Sequence, residues 1–355
     1  MAAKRQLKAR ALAKGRKSRG KGSRGSRRMS LRTSLAFAAF VLLWAIAGDW
    51  YVHHSRKWLQ QKSELWPDAI TAPLLLIGNP VGDFTDALGL TGHDAVYEYD
   101  TEAPKGEVLF AGAPVRTGEP APDDVRIVSK GEFWIGWSPS LRHPLWVAYH
   151  VPQDAAFPNS KRPNFFKDKF VPESPLPGSY SGSNYDRGHM APNYAIVTRF
   201  GVKAQKKSFL TSNISPQTPA LNRGVWRELE RRIADLWTAR YGELWVIVGA
   251  IPSSSGNTIY GTGIDIPDAF YQVIVAQEGM DVRAMAVIYP QDVEWGEWPT
   301  RGLISIDELE KLTGLDFLPE LPEFIQSPLE AELPSRLWPV RFLDALKMLT
   351  IHYSS

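Results

Sequence analysis

Five short runs of aromatic and β-branched residues constrain most strongly what this chain can fold into. Each run has the length and composition of a strand, and turn-forming residues bound it. The residues SPSLRHP between the first two runs favour a hairpin connection. Only one stretch, from residue 221 onward, places apolar residues at strong three- and four-residue spacing over several turns, which predicts an amphipathic helix. The predicted strands are 132–137, 145–151, 243–251, 269–277 and 282–289, and a short helix capped by Ser305 follows at 305–312.

The charge of the chain is unevenly distributed. Residues 1–32 contain 13 of the 41 Lys and Arg side chains and no acidic one, so the remainder carries 28 basic and 38 acidic side chains. The acidic body would need a local basic groove or a metal ion to bind nucleic acid. The chain has no cysteine, which excludes disulfides and thiolate chemistry.

Residues 33–48 are uncharged, and Trp44, Trp50 and Tyr51 lie toward the end of this stretch, as anchors at a membrane interface do. We predict a transmembrane signal anchor over 33–52, with the basic N-terminus cytoplasmic and the rest on the periplasmic or extracellular side. Two alternatives stay open. One is a signal peptide cleaved at Ala45-Ile46-Ala47, and the other is a mitochondrial targeting segment.

The octapeptide DRGHMAPN at 186–193 concentrates the residue types that phosphate chemistry needs. His189 can move a proton near neutral pH, and Arg187 offers a planar fork for phosphate oxygens. Gly188 allows a close backbone approach. The alternative is an ordinary charged loop, and the downstream motifs argue against it.

The long polar loop at 152–185 carries Lys161, Arg162, Lys167 and Lys169. Loops of this length in a compact domain are usually functional, so the charge suggests a phosphate-facing edge, with a merely solvated loop as the alternative.

Two further polar positions lie downstream. Asn213 is predicted where a strand gives way to a loop. Asn222 and Glu230 are predicted on one helix about 80° apart, so both could face one site. An asparagine near a helix start is often only an N-cap, which is the alternative for Asn222.

The order and spacing of DRGHMAPN, SNISPQ and LNRGVWRELE resemble the DNA/RNA non-specific endonuclease family over residues 126–321. The resemblance implies an α+β, ββα-metal fold, in which a hairpin histidine faces a helix-borne metal ligand around a central antiparallel sheet flanked by helices. Gln272 departs from the pattern, because relatives often carry lysine there. The implied site comprises His189 as general base with Asp186 and Arg187 beside it, Asn213 in the active site, Asn222 as the direct metal ligand, Glu230 holding the metal's waters and Arg162 binding phosphate.

The resemblance implies Mg²⁺-dependent, sequence-independent hydrolysis of DNA and RNA, with Mn²⁺ as a substitute ion. An oxygen-rich ligand set agrees, because zinc prefers nitrogen and sulfur. A homodimer is a family expectation, and the membrane is a partner through the anchor. The alternatives are a phosphodiesterase for a smaller phosphate near the membrane and a non-catalytic scaffold. The predicted organisation is a basic disordered tail at 1–32, the anchor at 33–52, a stalk at 53–71, a nuclease domain at 72–325 and a C-terminal helical tail at 326–355.

Overall fold

A central antiparallel sheet organises the chain. The computed structural model describes residues 97–98, 108–279, 281–297 and 299–340, and within these ranges eight strands form this sheet. The strands of the described residues are β1 (Tyr97–Glu98), β2 (Val115–Arg116), β3 (Arg126–Ser129), β4 (Phe133–Ser138), β5 (His143–Val151), β6 (Asp186–His189), β7 (Ile214–Gln217), β8 (Leu244–Ile251), β9 (Thr258–Ile259), β10 (Ile264–Asp265), β11 (Ala269–Glu278), β12 (Asp281–Pro290), β13 (Leu303–Ile304) and β14 (Leu315–Asp316). Seven strands of the central sheet run in the order β1-β12-β11-β8-β5-β4-β3, and β13 pairs with β12.

Helices cover both faces of this sheet. They are α1 (Asn193–Ser208), α2 (Pro219–Arg223), α3 (Val225–Arg231), a π-helical turn (Arg232–Trp237), α4 (Thr238–Tyr241), α5 (Ile306–Thr313) and α6 (Glu323–Ala331). Short 3-10 turns lie at Pro177–Tyr180, Thr211–Asn213 and Pro299–Gly302.

Side-chain alternation divides the core into two layers. On what we call the front face, Val147 and Val248 pack with α1, α3 and the π-helical turn. On the back face, Trp146 and Ile247 pack with α5 and α6. Both faces of the central strands are therefore buried, which explains why these runs are apolar almost throughout.

All five predicted strands are confirmed, each within about two residues of its predicted ends. The predicted α5 is also confirmed, and the Ser305 side chain accepts a hydrogen bond from the Glu308 N–H at 3.2 Å. The loop at 152–185 has little regular structure apart from the turn Pro177–Tyr180 and a bridge at Phe166.

One prediction about the helical region was wrong. The periodic stretch from residue 221 is not one helix, because Gly224 separates α2 from α3 with φ −98° and ψ −116°. A Cβ at this position would lie 2.2 Å from the carbonyl oxygen of Ala220. Only glycine fits at this break. The apolar spacing continues across Gly224, so the sequence pattern gives no sign that the helix ends there.

The chain after α6 returns to the front face. Leu337, Trp338 and Val340 join the front core. The Trp237 indole N–H donates to the carbonyl of Trp338 at 2.9 Å, and the Tyr241 hydroxyl donates to that of Pro339 at 3.1 Å. The predicted boundary at 325/326 falls inside α6, and the domain limits stay predictions.

The predicted tail, anchor and stalk at 1–71 lie outside the described residues, as does the chain after residue 340. Among the residues that the structure describes, no helix combines the length and apolarity needed to cross a bilayer.

Candidate active site

The DRGH motif forms β6, which pairs antiparallel with β7 so that His189 lies opposite Ile214. Gly188 lies directly under the Gln217 side chain, and a Cβ on it would lie 2.2 Å from Oε1 of Gln217. Glycine is therefore required at this position by close packing between the two strands. The consequence is that His189 lies at the end of a rigid strand pair on the front face of the sheet.

His189 occupies an aromatic pocket and is only 7% exposed. The ring centroids of Phe165 and Phe209 lie 5.3 and 4.6 Å from that of the imidazole. Burial, and secondarily the positive charge of Arg162, lower the pKa of His189 to about 3. Its Nε2 is buried and has no hydrogen-bond partner among the described residues. The ring is thus neutral at physiological pH, and its Nε2 lone pair or N–H is not used by any described residue.

Asn213 fixes the backbone that follows the histidine. Its Oδ1 accepts from the Ala191 N–H at 2.9 Å, and its Nδ2 donates to the carbonyls of Ala191 at 3.0 Å and Ser208 at 2.9 Å. The Met190 N–H donates to the Asn213 carbonyl at 3.0 Å. The residue precedes β7, at the end of the turn Thr211–Asn213, so the expectation that it follows a strand was wrong.

Asp186 connects the hairpin to the end of α2. Its Oδ2 accepts hydrogen bonds from Asn222 Nδ2 at 2.9 Å and from Arg223 Nε at 2.7 Å. Its Oδ1 accepts a hydrogen bond from Arg223 Nη2. Partial burial opposes ionisation of Asp186, but the two donors and the charge of Arg223 outweigh it and hold its pKa below the ordinary value. The hydrogen bond from Asn222 to Asp186 also orients the Asn222 amide. This contact uses the amide nitrogen and does not involve the Asn222 Oδ1.

Arg223 was missed by the sequence analysis. It adjoins Asn222 in LNRG, but its partner Asp186 is 37 residues away, so local sequence gives no signal for the pair.

Glu230 lies on α3, beyond the break at Gly224, so the argument from a single continuous helix does not apply. Burial raises the pKa of Glu230 to about 8, and the charges of Arg162 and Arg227 oppose that shift. Because Arg162 acts on both His189 and Glu230, its guanidinium lies within electrostatic reach of both.

Tyr149 is a second residue that the sequence analysis missed. Its buried hydroxyl has no hydrogen-bond partner among the described residues. Burial, and then the charge of Glu230, raise its pKa well above the ordinary value. It projects from β5 toward the front face, as Val147 does, and strand alternation with Val147 is the only sequence signal for that orientation.

The two predicted phosphate-binding arginines differ in their surroundings. Arg187 donates from Nε to the Pro177 carbonyl at 2.9 Å and from Nη2 to Ser181 Oγ at 3.3 Å, so it holds the preceding loop. Arg162 is exposed and lies 5.6 Å from the ring centroid of Phe209. No described residue forms a salt bridge with Arg162, which leaves its guanidinium available for an anion.

The profile of the DNA/RNA non-specific endonuclease family matches residues 112–324. The chain belongs to this family. It is 32% identical to a nuclease of Nostoc sp. over 225 residues, which are 60% of this chain and 80% of that protein. It is 30% identical to the nuclease of Serratia marcescens over 199 residues, covering 53% of this chain and 73% of that one.

Similarity also extends to eukaryotic family members. The human mitochondrial nuclease EXOG is 29% identical over 209 residues, but these are only 55% of its length and 53% of this chain. A solved structure of an EndoG/EndoGI complex matches with a TM-score of 0.50 and 25% identity, covering 59% of this chain and 91% of that chain. The family assignment makes the chain an enzyme of the DNA/RNA nuclease class.

Asn222 and Glu230, the two residues predicted to hold a metal ion, both carry oxygen donors suited to a hard divalent cation. The amide oxygen of Asn222 is oriented through its Nδ2 bond to Asp186, and Glu230 supplies a half-buried carboxylate. Amide and carboxylate oxygens are ligands that Mg²⁺ accepts. The chemistry of these two side chains would therefore suit a divalent cation.

A second acidic group, formed by Asp307, Glu310 and Glu330, has ligand oxygens within 4.8 Å of one another. It lies with α5 and α6 on the back face, away from His189. Burial raises the pKa of Glu310 to about 7 and that of Glu330 to about 9, and Gln326 Nε2 donates to Glu330 at 3.3 Å. These shifts favour the protonated forms of Glu310 and Glu330.

Gln272, the position at which the family resemblance predicts lysine, is buried on β11 with 1% exposure. It alternates with Phe270 and Ile274 and so projects toward the front face. Its Oε1 has no hydrogen-bond partner among the described residues.

Proposed function

We propose that this chain hydrolyses phosphodiester bonds of DNA and RNA without sequence selectivity, using His189 as general base and a divalent cation at Asn222 and Glu230. The observation that carries the proposal is a neutral, buried imidazole with an unpartnered Nε2, tied through one hairpin to an asparagine whose amide is held by Asp186. In this proposal β6 and β7 are the two strands of the ββα-metal motif, and α2 is its helix.

The proton-transfer role of His189 follows from its surroundings. Burial keeps the imidazole neutral, and the negative charge of a bound phosphodiester would raise its pKa toward neutrality, where a general base is most effective. Asn213 positions the chain after His189 through the backbone of Ala191. We therefore propose that Asn213 acts as a positioning residue and does not contact the substrate.

We propose Mg²⁺ as the resident ion, with Mn²⁺ as a substitute, and Asn222 as its direct protein ligand. When bound, the cation stabilises charge on the phosphoryl and leaving oxygens. Glu230 would accept hydrogen bonds from the waters of the ion, and Asp186 keeps the Asn222 amide oriented.

Substrate binding would use the exposed guanidinium of Arg162, which can contact two phosphate oxygens at once. Arg187 contributes by holding the loop that precedes the hairpin. Contacts of this kind read the backbone and not the bases, so cleavage should be independent of sequence and sensitive to salt.

The test is Mg²⁺-dependent cleavage of circular plasmid and of single-stranded RNA by the full chain, beside His189→Ala. We expect wild type alone to cleave both, with a loss of about 10²–10⁴-fold in the variant. The matched control is His150→Ala, a half-buried histidine stacked on Trp245 at 4.8 Å on the back face. Full activity of a folded His189→Ala protein would overturn the assignment.

A smaller phosphate substrate and a non-catalytic scaffold are the rival functions. Polynucleotide binding releases counterions and gives a steep salt dependence, whereas a small substrate does not. A flat salt titration of KM with retained hydrolysis would favour the first rival. Absence of hydrolysis by folded, Mg²⁺-supplied protein would favour the second.

Location and assembly stay predictions. The uncharged stretch at 33–48 supports a membrane anchor, and the mitochondrial names of relatives from human and fission yeast support the mitochondrial alternative. Protease protection of the full chain in intact cells or organelles separates these locations. Light scattering of the purified chain tests the expected homodimer.

A further inference from the structure

Two phenylalanines and two lysines are exposed together at Phe166–Phe170 in the long loop, a segment we call the FKDKF segment. Phe170 is 87% exposed and Phe166 is 45% exposed. Lys167 and Lys169 are exposed as well, and neither forms a salt bridge with any described residue. Only the central Asp168 is buried, with 1% exposure.

Asp168 anchors the segment to the body of the protein. Its carboxylate pairs with the buried Lys130 and accepts from Ser212 Oγ at 2.5 Å. It also accepts from the Phe170 N–H at 2.9 Å. Burying such a pair carries a desolvation penalty, and here the pair holds its neighbours at fixed positions on the surface. The buried contacts of Asp168 thus hold the exposed residues in place on the surface, and the segment is not an unrestrained loop.

The segment adjoins the catalytic hairpin. The Phe166 N–H donates to the Phe209 carbonyl at 3.0 Å, and the Thr211 N–H donates to the Phe166 carbonyl at 2.8 Å. Phe165, one residue earlier, packs its ring 5.3 Å from that of His189. A polynucleotide held at His189 would therefore pass beside Phe166.

Exposed aromatic rings next to cations suit one ligand chemistry. Unpaired bases stack on aromatic faces, and lysines bind the phosphates between them. Bases in a duplex already stack on each other and cannot use the rings in this way. Charge complementarity with four basic residues in the loop, Lys161, Arg162, Lys167 and Lys169, favours a polyanion over a protein partner.

We propose that the FKDKF segment binds the unpaired bases and phosphates of single-stranded DNA or RNA and gives the enzyme a preference for single-stranded or locally opened substrate. This inference rests on the proposed nuclease function and specifies its substrate class. Phe166 and Phe170 are the specificity-determining residues, and the lysines add affinity without base preference.

The test compares Phe166→Ala, Phe170→Ala and the double variant in the full chain. The control is Phe324→Ala, which removes a phenylalanine that is 65% exposed on α6 at the back face. Fluorescence anisotropy in EDTA measures the Kd for a labelled single-stranded 12-mer, as DNA and as RNA, and for a duplex of the same sequence. The basic residues 1–32 are common to every variant, so their contribution cancels in the comparison with wild type.

We expect Phe170→Ala to weaken single-strand binding about tenfold, the double variant to weaken it further, and duplex binding to change less than twofold. The Phe324→Ala control should change neither. Equal losses on both substrates, or no loss on either, would overturn the proposal; the second result would point to a protein partner for the segment.

Hydrolysis of bis(p-nitrophenyl) phosphate with Mg²⁺ separates this proposal from the one on which it rests. The small diester offers no base to stack, so its hydrolysis by wild type reports the proposed nuclease function without the FKDKF segment. If wild type hydrolyses neither this diester nor any nucleic acid, the nuclease function fails. If wild type is active and the variants keep its ratio of single-strand to duplex cleavage, only the segment proposal fails.

Discussion

The Asn222 side chain donates a hydrogen bond to the carboxylate of Asp186 over 2.9 Å, which connects the DRGH strand to the helix that carries the proposed metal ligand. An asparagine amide can rotate and present either its nitrogen or its oxygen to a ligand. Asp186 can only accept a hydrogen bond, because a carboxylate with a lowered pKa has no proton to donate. It therefore binds the amide nitrogen of Asn222 and leaves the amide oxygen for a ligand. The strand motif and the helix motif are therefore connected by a hydrogen bond between their side chains.

Removing this acceptor should act through the metal. We expect Asp186→Ala to raise the Mg²⁺ concentration for half-maximal cleavage by about 10–100-fold, as loss of a group that orients a metal ligand does. Saturating Mg²⁺ should recover part of the rate. The measurement is the cleavage rate as a function of Mg²⁺ concentration.

The control for that experiment is Arg223→Ala, which removes the other partner of Asp186 and leaves the Asn222 bond in place. Its Mg²⁺ requirement should change much less. An unchanged Mg²⁺ requirement in Asp186→Ala would show that the orienting bond has no part in metal binding.

The pH dependence of stability should report the neutral state of His189. Its pKa is about 3 in the fold and about 6.5 in an unfolded chain. Between these values the unfolded chain binds more protons, so the free energy of unfolding decreases as the pH falls from about 6.5. The slope attributable to this group is at most about 1.4 kcal/mol per pH unit, and above pH 6.5 its stabilising effect is complete.

Urea denaturation of wild type and His189→Asn between pH 4 and pH 7.5 measures that slope, since the asparagine cannot titrate. The variant should show a flatter dependence. NMR of the imidazole should find His189 neutral at pH 5. A titration midpoint near 6.5 in the folded protein would contradict the neutral, buried ring.

How far the sequence could predict this molecule depends on the range of the interactions. Strand positions followed from local apolar runs, and β4, β5, β8, β11 and β12 match them closely. The grouping of His189, Asn222 and Glu230 in one site was implied by the family resemblance and stays a prediction, whereas the reasoning from helical spacing assumed a helix that Gly224 breaks. Contacts between distant residues, such as Arg223 with Asp186 or Asn213 with Ala191, had no local signal.

The close approach of β6 and β7 makes a prediction about Gly188. Gly188→Ala should lower the free energy of unfolding by about 1–3 kcal/mol, the usual effect of overpacking, because its Cβ would overlap Gln217. Cleavage should fall as well, since the neighbouring His189 would be displaced.

The second-site variant Gln217→Ala should restore most of the stability of Gly188→Ala, because Nε2 and Oε1 of Gln217 have no hydrogen-bond partner among the described residues. Gly178→Ala, with open space around its Cβ, is the matched control and should be near neutral. Urea denaturation of the four proteins and the double variant tests this. Additive losses in the double variant would refute the packing explanation.

The two arginines near the hairpin should separate into a substrate-binding and a loop-holding residue. Arg162→Ala should lower kcat/KM for plasmid roughly 10–100-fold, since hydrogen bonds to a charged phosphate are the stronger class, and should leave the free energy of unfolding nearly unchanged because Arg162 is exposed. It should also raise the pKa of His189, because the charge of Arg162 lowers that pKa.

Arg187→Ala removes two hydrogen bonds to the loop at Pro177 and Ser181 and should lower the free energy of unfolding by about 1–3 kcal/mol. Arg187→Lys should not rescue it, because lysine cannot reproduce the planar fork. Steady-state kinetics and urea denaturation on the same preparations distinguish the roles. If Arg162→Ala destabilises the fold and Arg187→Ala affects only KM, the roles are reversed, and the phosphate contact belongs to the DRGH motif itself.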